Sequence, residues 1–430
     1  TRSWGPPFFD KGGEPVSAYF LCANRGKRSV AIDLANPEGQ ELVQSLAAHC
    51  DILVENFKVG GLKKYGLDFE SLKAVNPGLI YCSITGFGQT GPYANRPGYD
   101  FLIQGMGGLM SVTGEPDNLD NKAAGPMKVG VAVTDLFTGL YAANAIQGAL
   151  LERHQSGQGQ YIDLALLDVQ AAVLANQASN YLIGGTVPQR LGNAHPNIVP
   201  YQAFATADSH IIVAVGNDQQ FKRFCQVIEI PLMAKDPLYA TNANRVHNRQ
   251  LLCETISLSL SQKDSRHWLA AFEANDVPCG PINSIDQVFD DPQIIAREML
   301  INVIESRSGS LKMVGNPIKY SRTKIEYSAS PLFDEDEFVG CVLSFQDISE
   351  KHRLKEEVEW QAWHDALTNL PNRTLLNDRF SIAISNANRS NNMVAVCVLD
   401  LDDFKPINDS YGHEYGDKVL IEVARRLSSS

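Results

Sequence analysis

The chain has 430 residues, 44% of them hydrophobic and 20% charged, which is enough for a sizeable core and, by length, roughly two to four domains. A formal net charge of -12 argues against nucleic acid as the main partner, while leaving room for a local basic patch. No apolar run is long enough to span a membrane, no signal peptide is recognisable, and the eight cysteines are scattered without a CxxC pair, which reads as reduced, buried thiols in a cytoplasmic protein.

The first residues, "TRSWGPPF", read as a polar loop that implies further sequence upstream of Thr1. In "NRGKRS", Arg25, Lys27 and Arg28 cluster within an acidic protein. They form either a solvated turn or a contact for a polyanionic ligand, since Arg can hold phosphate in bidentate fashion. From Asn36 to Ile84 the pattern alternates: "PEGQELVQSLAAHC" is helical, "DILVENF" a short strand, "LDFESLKAVNP" a helix and "LIYCSIT" a strand. Such alternation predicts a parallel, doubly wound sheet.

"GFGQTG" (Gly86–Gly91) matches GxGxxG after a strand, but the dinucleotide motif needs a helix to follow and hold the pyrophosphate. Here Pro92, Pro97 and Gly98 follow. The glycines instead predict a loop whose backbone approaches something closely. Next comes "KVGVAVTDLFTGLYAANAIQGALLERH" (Lys128–His154), an apolar helix pattern over Thr134–His154 with one acid, Asp135, at its start. Thr134 and Asp135 are capping types, and an acid there also meets the positive end of the helix dipole. The helix ends at "SGQGQ" and is followed by the strand "YIDLAL" and a helix through Leu182.

A second block begins near His195, with the strand "SHIIVAVG" and helices "DQQFKRFCQVI", "NRQLLCETISLSL" and "SRHWLAAFEAND", predicting a smaller α+β domain. "GSLKMVGNPIKYS" reads as extended chain. Around Ser330 the vocabulary changes to an acidic turn and a strand, "PLFDEDEFVGCVLSFQDIS", then the charged helix "EKHRLKEEVEWQAWHDALTNL". The nine histidines show no HExxH-type metal spacing, and there is no GxSxG nucleophile elbow.

Several stretches occur in a shared order: "TRSWGPPF", "YFLCANRGKRSVAIDL", "VENF", "YCSITGFGQTGPYANRPGYD", "VGVAVTDLFTGLYA", "GNAHPNIVPYQAF", "GNDQQF", "RVHNR" and "VPCGPIN". With these, residues 1–330 resemble a class III CoA-transferase, the CaiB/BaiF or formyl-CoA transferase type. They are most similar to the branch acting on succinyl-CoA and glutarate or hydroxymethylglutarate. The resemblance implies a catalytic aspartate in the "VTDLFTG" position, Asp135. Its carboxylate would attack an acyl-CoA, with succinyl-CoA the expected donor, to give a mixed anhydride and then an aspartyl-CoA thioester, covalent catalysis that needs no metal. Backbone N–H groups at the helix start are expected to meet the developing oxyanions.

By position in the family pattern, the CoA contacts fall on Ile32–Ala35, on Asn56, Phe57 and Lys58, on Lys64, and on Pro97–Asp100, which includes Tyr99 and Asp100. His195, with Asn193, stands where other members carry a glycine-rich loop over the site, and reads either as a substrate-side residue or as a buried structural histidine. His195 or Arg190 is expected to face the second carboxylate of a dicarboxylate acceptor such as glutarate. Racemases of this superfamily carry a His in a "GHD" stretch where this chain has Tyr99 in "GYD", a phenol and so a poor base at neutral pH. That favours a transferase.

The family normally starts earlier and continues past Ser330. The tail is similar to other families: "GCVLSFQDISEKHRLKEE" resembles the last strand and exit helix of a PAS domain, while "HDALTNLPNR" and "LDLDDFKPINDSYGHEYGD" resemble the front half of a diguanylate cyclase (GGDEF) domain. That likeness implies metal binding by Asp400, Mg being possible but the site incomplete, and guanine binding by Asn408 and Asp417. The sequence stops before the turn that names the family, so the tail is expected to be an inactive remnant.

The expected architecture is α/β. Residues 1–195 form a doubly wound parallel-sheet large domain lacking its first strand and helix, and 196–300 a small α+β domain. Residues 301–330 return toward the large domain, 331–352 form a PAS end and linker helix, and 353–430 a partial GGDEF fragment. The expected activity is CoA transfer from an acyl-CoA to a small carboxylic acid by an interlocked homodimer, without nucleic acid or membrane partners. Two other readings stay open: a cyclic-di-GMP-related signalling protein with a degenerate tail, and an inactive chimeric scaffold.

Overall fold

Helix and strand alternate from Asn36 onward because each apolar strand needs a helix to cover it. The computed structural model describes residues 1–9, 15–24, 27, 29–117, 125–305, 309–319, 325–334, 337–347, 365, 367–368, 370–372, 375–376, 401–402 and 404–428. The chain divides into two compact units, residues 32–288 and residues 1–31 with 289–430.

In the first unit, β1 (Ile52–Glu55), β2 (Ile80–Thr85) and β3 (Tyr161–Ala165) form a parallel sheet in that order. This is the parallel α/β architecture that the alternation predicts. The central strand is buried along Ile80, Tyr81, Cys82 and Ser83, as expected where both faces are covered. Helix α1 (Pro37–Ala48) precedes the sheet. Asn36 caps it by accepting the Glu38 N–H at 3.0 Å, Pro37 occupies the first turn and Glu38 meets the dipole. Helix α2 (Phe69–Val75) brings Leu72 into a cluster with Ala47, Leu62, Leu67, Leu79 and Tyr81.

The short helix α3 (Asp100–Met106) leads to the long α4 (Val133–Ser156), which Gly157 ends in the left-handed conformation, its N–H on the Arg153 carbonyl at 2.8 Å. The buried positions of α4 are few: Thr134, Thr138, Ala142 and Ala149. Leu136, Leu140 and Leu151 are exposed at 59%, 66% and 73%, leaving much of an apolar helix uncovered by its own chain. The single helix expected through Leu182 is two, α5 (Leu166–Val173) and a second over Ala175–Gly184, parted where Ala175 takes φ 47°.

The same unit carries an antiparallel sheet of β4 (Tyr201–Ala205), β5 (His210–Ala214) and β6 (Cys279–Pro281). Helices α6 (Asp218–Val227), α7 (Arg249–Leu260) and α8 (Ser265–Glu273) fill its core with Phe221, Phe224, Leu252, Ile256, Trp268 and Phe272. Asn217 and Asp264 cap α6 and α8. Beside this core lies a fully buried cation, Arg245 of the "RVHNR" stretch. It donates to the Val199 carbonyl (2.7 Å), the Tyr239 carbonyl (3.0 Å) and Asp218 Oδ1 (2.8 Å), with Phe221 under its face.

The second unit contains a hairpin of Phe8–Phe9 with Val16–Ser17, the helix Ala18–Asn24, and the antiparallel pair Leu300–Glu305 with Gly309–Val314. Where the sequence pattern predicts one strand there are two, Ile325–Asp334 and Glu337–Asp347, paired antiparallel. Helices Phe404–Tyr411 and His413–Ser428 follow. Among the described residues no helix is long and apolar enough to cross a membrane. Cys82 and Cys225 are buried as expected, and burial pushes the Cys225 thiol up to about 12, but Cys22 and Cys50 are exposed.

Removing the buried guanidinium leaves two carbonyls without donors in an apolar core. Arg245→Ala is therefore expected to cost about 1–3 kcal/mol for each of them, read as an earlier urea midpoint in equilibrium unfolding.

Candidate active site

The carboxyl ends of parallel strands are where open α/β sheets hold ligands, because the loops there diverge and leave a crevice. A cleft of about 450 Å³ opens here. It is walled by Asn56–Val59 after β1, Ile84–Gly86 at the end of β2, Ala94–Asp100 leading into α3, and Asp135, Thr138 and Gly139 of α4. The loops can close on one another because Gly86 and Gly98 touch backbone to backbone. A Cβ on Gly86 would fall 2.5 Å from the Gly98 Cα, and one on Gly98 2.4 Å from the Gly86 Cα. The close approach expected of the "GFGQTG" loop is thus made by Gly86, to the neighbouring "RPGYD" segment.

Asp135 stands in the first turn of α4, yet neither it nor Thr134 caps that helix. The residue at the cap position is Ala132, which has no side-chain oxygen to offer. Asp100 from α3 supplies the acceptor instead: its Oδ1 takes the Thr134 N–H at 2.8 Å and the Asp135 N–H at 3.4 Å. Asp100 Oδ2 accepts from Gln104 Nε2 at 2.7 Å, and Gln104 Oε1 accepts the Val129 N–H at 2.9 Å. The Thr134 hydroxyl donates to Gln170 Oε1 at 2.6 Å, tying α4 to α5. The helix-start N–H groups expected to face an oxyanion are therefore committed to Asp100, because a charged acceptor outcompetes an open position.

Asp135 is open to solvent at the cleft, but its carboxyl is raised above the ordinary carboxylate range. Desolvation by the protein packed around it is the larger cause, and the charge of Asp100 adds to it. A more basic carboxylate is a better nucleophile, provided it stays ionised at working pH.

Of the residues named from the sequence, Asn56, Phe57, Lys58, Tyr99 and Asp100 line the same cleft as Asp135. Ile32 does not; its side chain lies by Gly39 at the approach to α1. Lys64 also stands outside, with its ammonium 4.5 Å from the centre of the Tyr65 ring. His195 Nδ1 accepts the Asn197 N–H at 3.1 Å and its ring packs 5.2 Å from Tyr201, away from the cleft, while Asn193 is exposed. Arg190 is held by the Glu115 carbonyl and Asp117. Lys27 donates to the Ala23 carbonyl, whereas Arg25, Arg28 and Asp400 lie outside the described residues. Asn408 sits on its helix against Gly416, and Asp417 is exposed on the next helix.

Three residues of the site escaped sequence reading. Arg96 lines the cleft with its guanidinium 4.6 Å from the Tyr93 ring centre and 5.4 Å from that of Phe87, an arrangement that leaves its N–H edge for an anion. Gln104 and Gln170 are fully buried and orient Asp100 and Thr134. The spacing of Asp100 and Gln104, one helical turn apart, was the available signal for the first of them.

Residues 1–337 match CoA-transferase family III, and residues 362–430 match the diguanylate cyclase GGDEF domain. The chain is 53% identical over 330 residues to a succinate–glutarate CoA-transferase of Agrobacterium fabrum, covering 76% of this chain and 81% of the relative. It is 42% identical over 331 residues to the succinyl-CoA:glutarate CoA-transferase of Homo sapiens, covering 77% and 73%. Among solved structures, a CaiB/BaiF family protein from Brucella suis superposes with a TM-score of 0.65 at 47% identity, over 83% of this chain and 88% of that one. With the cleft, its aspartate and these relatives taken together, the chain belongs to CoA-transferase family III and carries a GGDEF domain behind the transferase region.

Proposed function

We propose that this chain moves CoA from succinyl-CoA to a small dicarboxylate such as glutarate, with Asp135 as the covalent carrier. The observation that carries the reading is the state of Asp135: in the cleft, in the first turn of α4, relieved of capping by Asp100 and made more basic by its surroundings. The acceptor and donor are taken from the relatives named for succinate or succinyl-CoA and glutarate.

The steps follow from carboxylate chemistry. The Asp135 carboxylate attacks the thioester carbonyl, the C–S bond breaks, and CoA leaves as thiolate from a mixed succinyl–aspartyl anhydride. The thiolate then attacks the aspartyl carbonyl, releasing succinate and leaving an aspartyl-CoA thioester. Attack by the acceptor carboxylate expels the thiolate again and forms a second anhydride. Thiolate attack on the acceptor carbonyl gives the new acyl-CoA and returns the Asp135 carboxylate. Positive and neutral donors on the cleft wall, Lys58, Arg96, Asn56 and Asn95, are the groups available for oxyanions, for the CoA phosphates and for the second carboxylate. His195 and Arg190 are engaged elsewhere.

We further infer a homodimer, supported by the exposed apolar side chains of α4 and by Leu182 and Ile183, exposed at 77% and 88%. An apolar helix uncovered by its own chain marks an association surface.

Incubation with succinyl-CoA followed by hydroxylamine is expected to label Asp135, and Asp135→Ala to lower exchange by at least about a thousandfold, the scale on which a covalent nucleophile acts. Labelling elsewhere, or unchanged exchange in the variant, would end the reading. Because the folded carboxyl is raised, the ionised nucleophile is lost as pH falls through a value above the ordinary Asp range. The acid limb of kcat/KM is therefore expected above that range, and Asp100→Asn is expected to move it to lower pH. Light scattering should give a dimer mass, and Leu140→Glu should shift it toward monomer.

A further inference from the structure

Strand register sets three polar residues abreast at one level of the parallel sheet: Glu55 on β1, Ser83 on β2 and Asp163 on β3. The preceding rung is Val54, Cys82 and Ile162, the apolar composition usual for a covered parallel sheet. The polar rung is internally bonded. Glu55 Oε2 accepts the Phe57 N–H at 2.6 Å, and its other oxygen accepts from the Ser83 hydroxyl. Ser83 Oγ accepts from Gln89 Nε2 at 2.8 Å, and the Gln89 backbone N–H donates to Asp163 Oδ2 at 3.1 Å.

This chain of bonds begins in the Asn56–Val59 wall and ends in the Gly86–Gly91 loop, whose first residue forms the opposing wall against Gly98. Glu55, Ser83, Gln89 and Asp163 do not themselves line the cleft. Ser83 is fully buried, so a donor or acceptor left unpaired there has no water to turn to. A carboxylate suits the Glu55 position because both of its oxygens meet donors. An amide of the same size would turn its NH₂ either toward the Phe57 N–H, a clash of donors, or toward Ser83, whose hydroxyl proton would then lose the Glu55 acceptor.

We propose that Glu55 is a positioning residue for acyl-CoA: through Ser83 and Gln89 it fixes the separation of the two cleft walls. The inference rests on the reading that the cleft takes acyl-CoA. It concerns the binding of CoA rather than the covalent steps, since Asp135 is held by the separate Asp100 network.

The test uses the full chain with Glu55→Gln, Gln89→Leu, their double variant, and each again in a Ser83→Ala background. Calorimetric Kd for free CoA, KM and kcat with succinyl-CoA, and melting temperature are measured for all. Glu55→Gln is expected to raise Kd and KM about tenfold, the weight of one charge-assisted hydrogen bond, with kcat within about threefold of wild type. The double variant should be no worse than the weaker-binding single one, and this coupling should vanish with Ser83→Ala. Unchanged CoA affinity in folded Glu55→Gln, or fully additive effects, would overturn the proposal. Should Glu55→Gln not fold, Gln89→Leu carries the same comparison from the loop side. If the wild-type chain binds no CoA, or Asp135→Ala exchanges normally, the reading of the cleft fails instead, a result separable from the first.

Discussion

The bond from the Thr134 N–H to Asp100 is the constraint around which the cleft is arranged. A helix start leaves several N–H groups without partners, and α4 has Ala132 where a capping side chain would ordinarily stand. The acceptor arrives from another helix, so the position of Asp135 depends on how α3 packs and not only on its own neighbours. Gln104 holds Asp100, and Gln170 holds Thr134, so α3, α4 and α5 meet through these side chains. Desolvation by the surrounding protein, and secondly the charge of Asp100 set beside it, oppose the ionisation of Asp135, which is the condition for a stronger carboxylate nucleophile.

Carboxylates are used in the same manner elsewhere around the cleft. Glu55 holds the Phe57 N–H and Asp163 the Gln89 N–H, each turning an acid toward loop backbone. This matters in a chain of net charge -12 that handles an anionic cofactor. Beside Asp100 and Asp135, the cleft wall presents Lys58, Arg96, Asn56 and Asn95. Arg96 stacks on Tyr93 and Phe87, and among the described residues no carboxylate stands within ion-pair distance of it.

The segment carrying His195 shows the opposite outcome. Arg249 donates to the carbonyls of His195 and Pro196, Arg245 to that of Val199, and the Asn242 amide both gives and takes a backbone bond across Asn197–Val199. Two cations, Arg245 and Arg249, are consumed in fastening this loop. The histidine within it packs on Tyr201 and bonds Asn197, a structural use of a residue type more often noticed for chemistry.

Periodicity in the sequence determined the parallel strands, the long helix over Thr134–His154 and the smaller α+β block, because the apolar spacing of each element is a local property. The order of its motifs also carried the resemblance that singled out Asp135, Tyr99, Asp100 and the Asn56–Lys58 stretch. Only the tertiary structure decided what each polar group bonds. Capping of α4 passes between residues thirty-four apart, Glu55, Ser83 and Asp163 become neighbours through strand register, and Gly86 of "GFGQTG" finds its partner in Gly98. For the same reason Ile32, Lys64, His195, Asn193 and Arg190 stand outside the cleft, and Arg96 inside it. A hydrogen-bond partner depends on distance in space, which sequence separation does not encode, whereas the pattern that builds a strand or helix is written in adjacent residues.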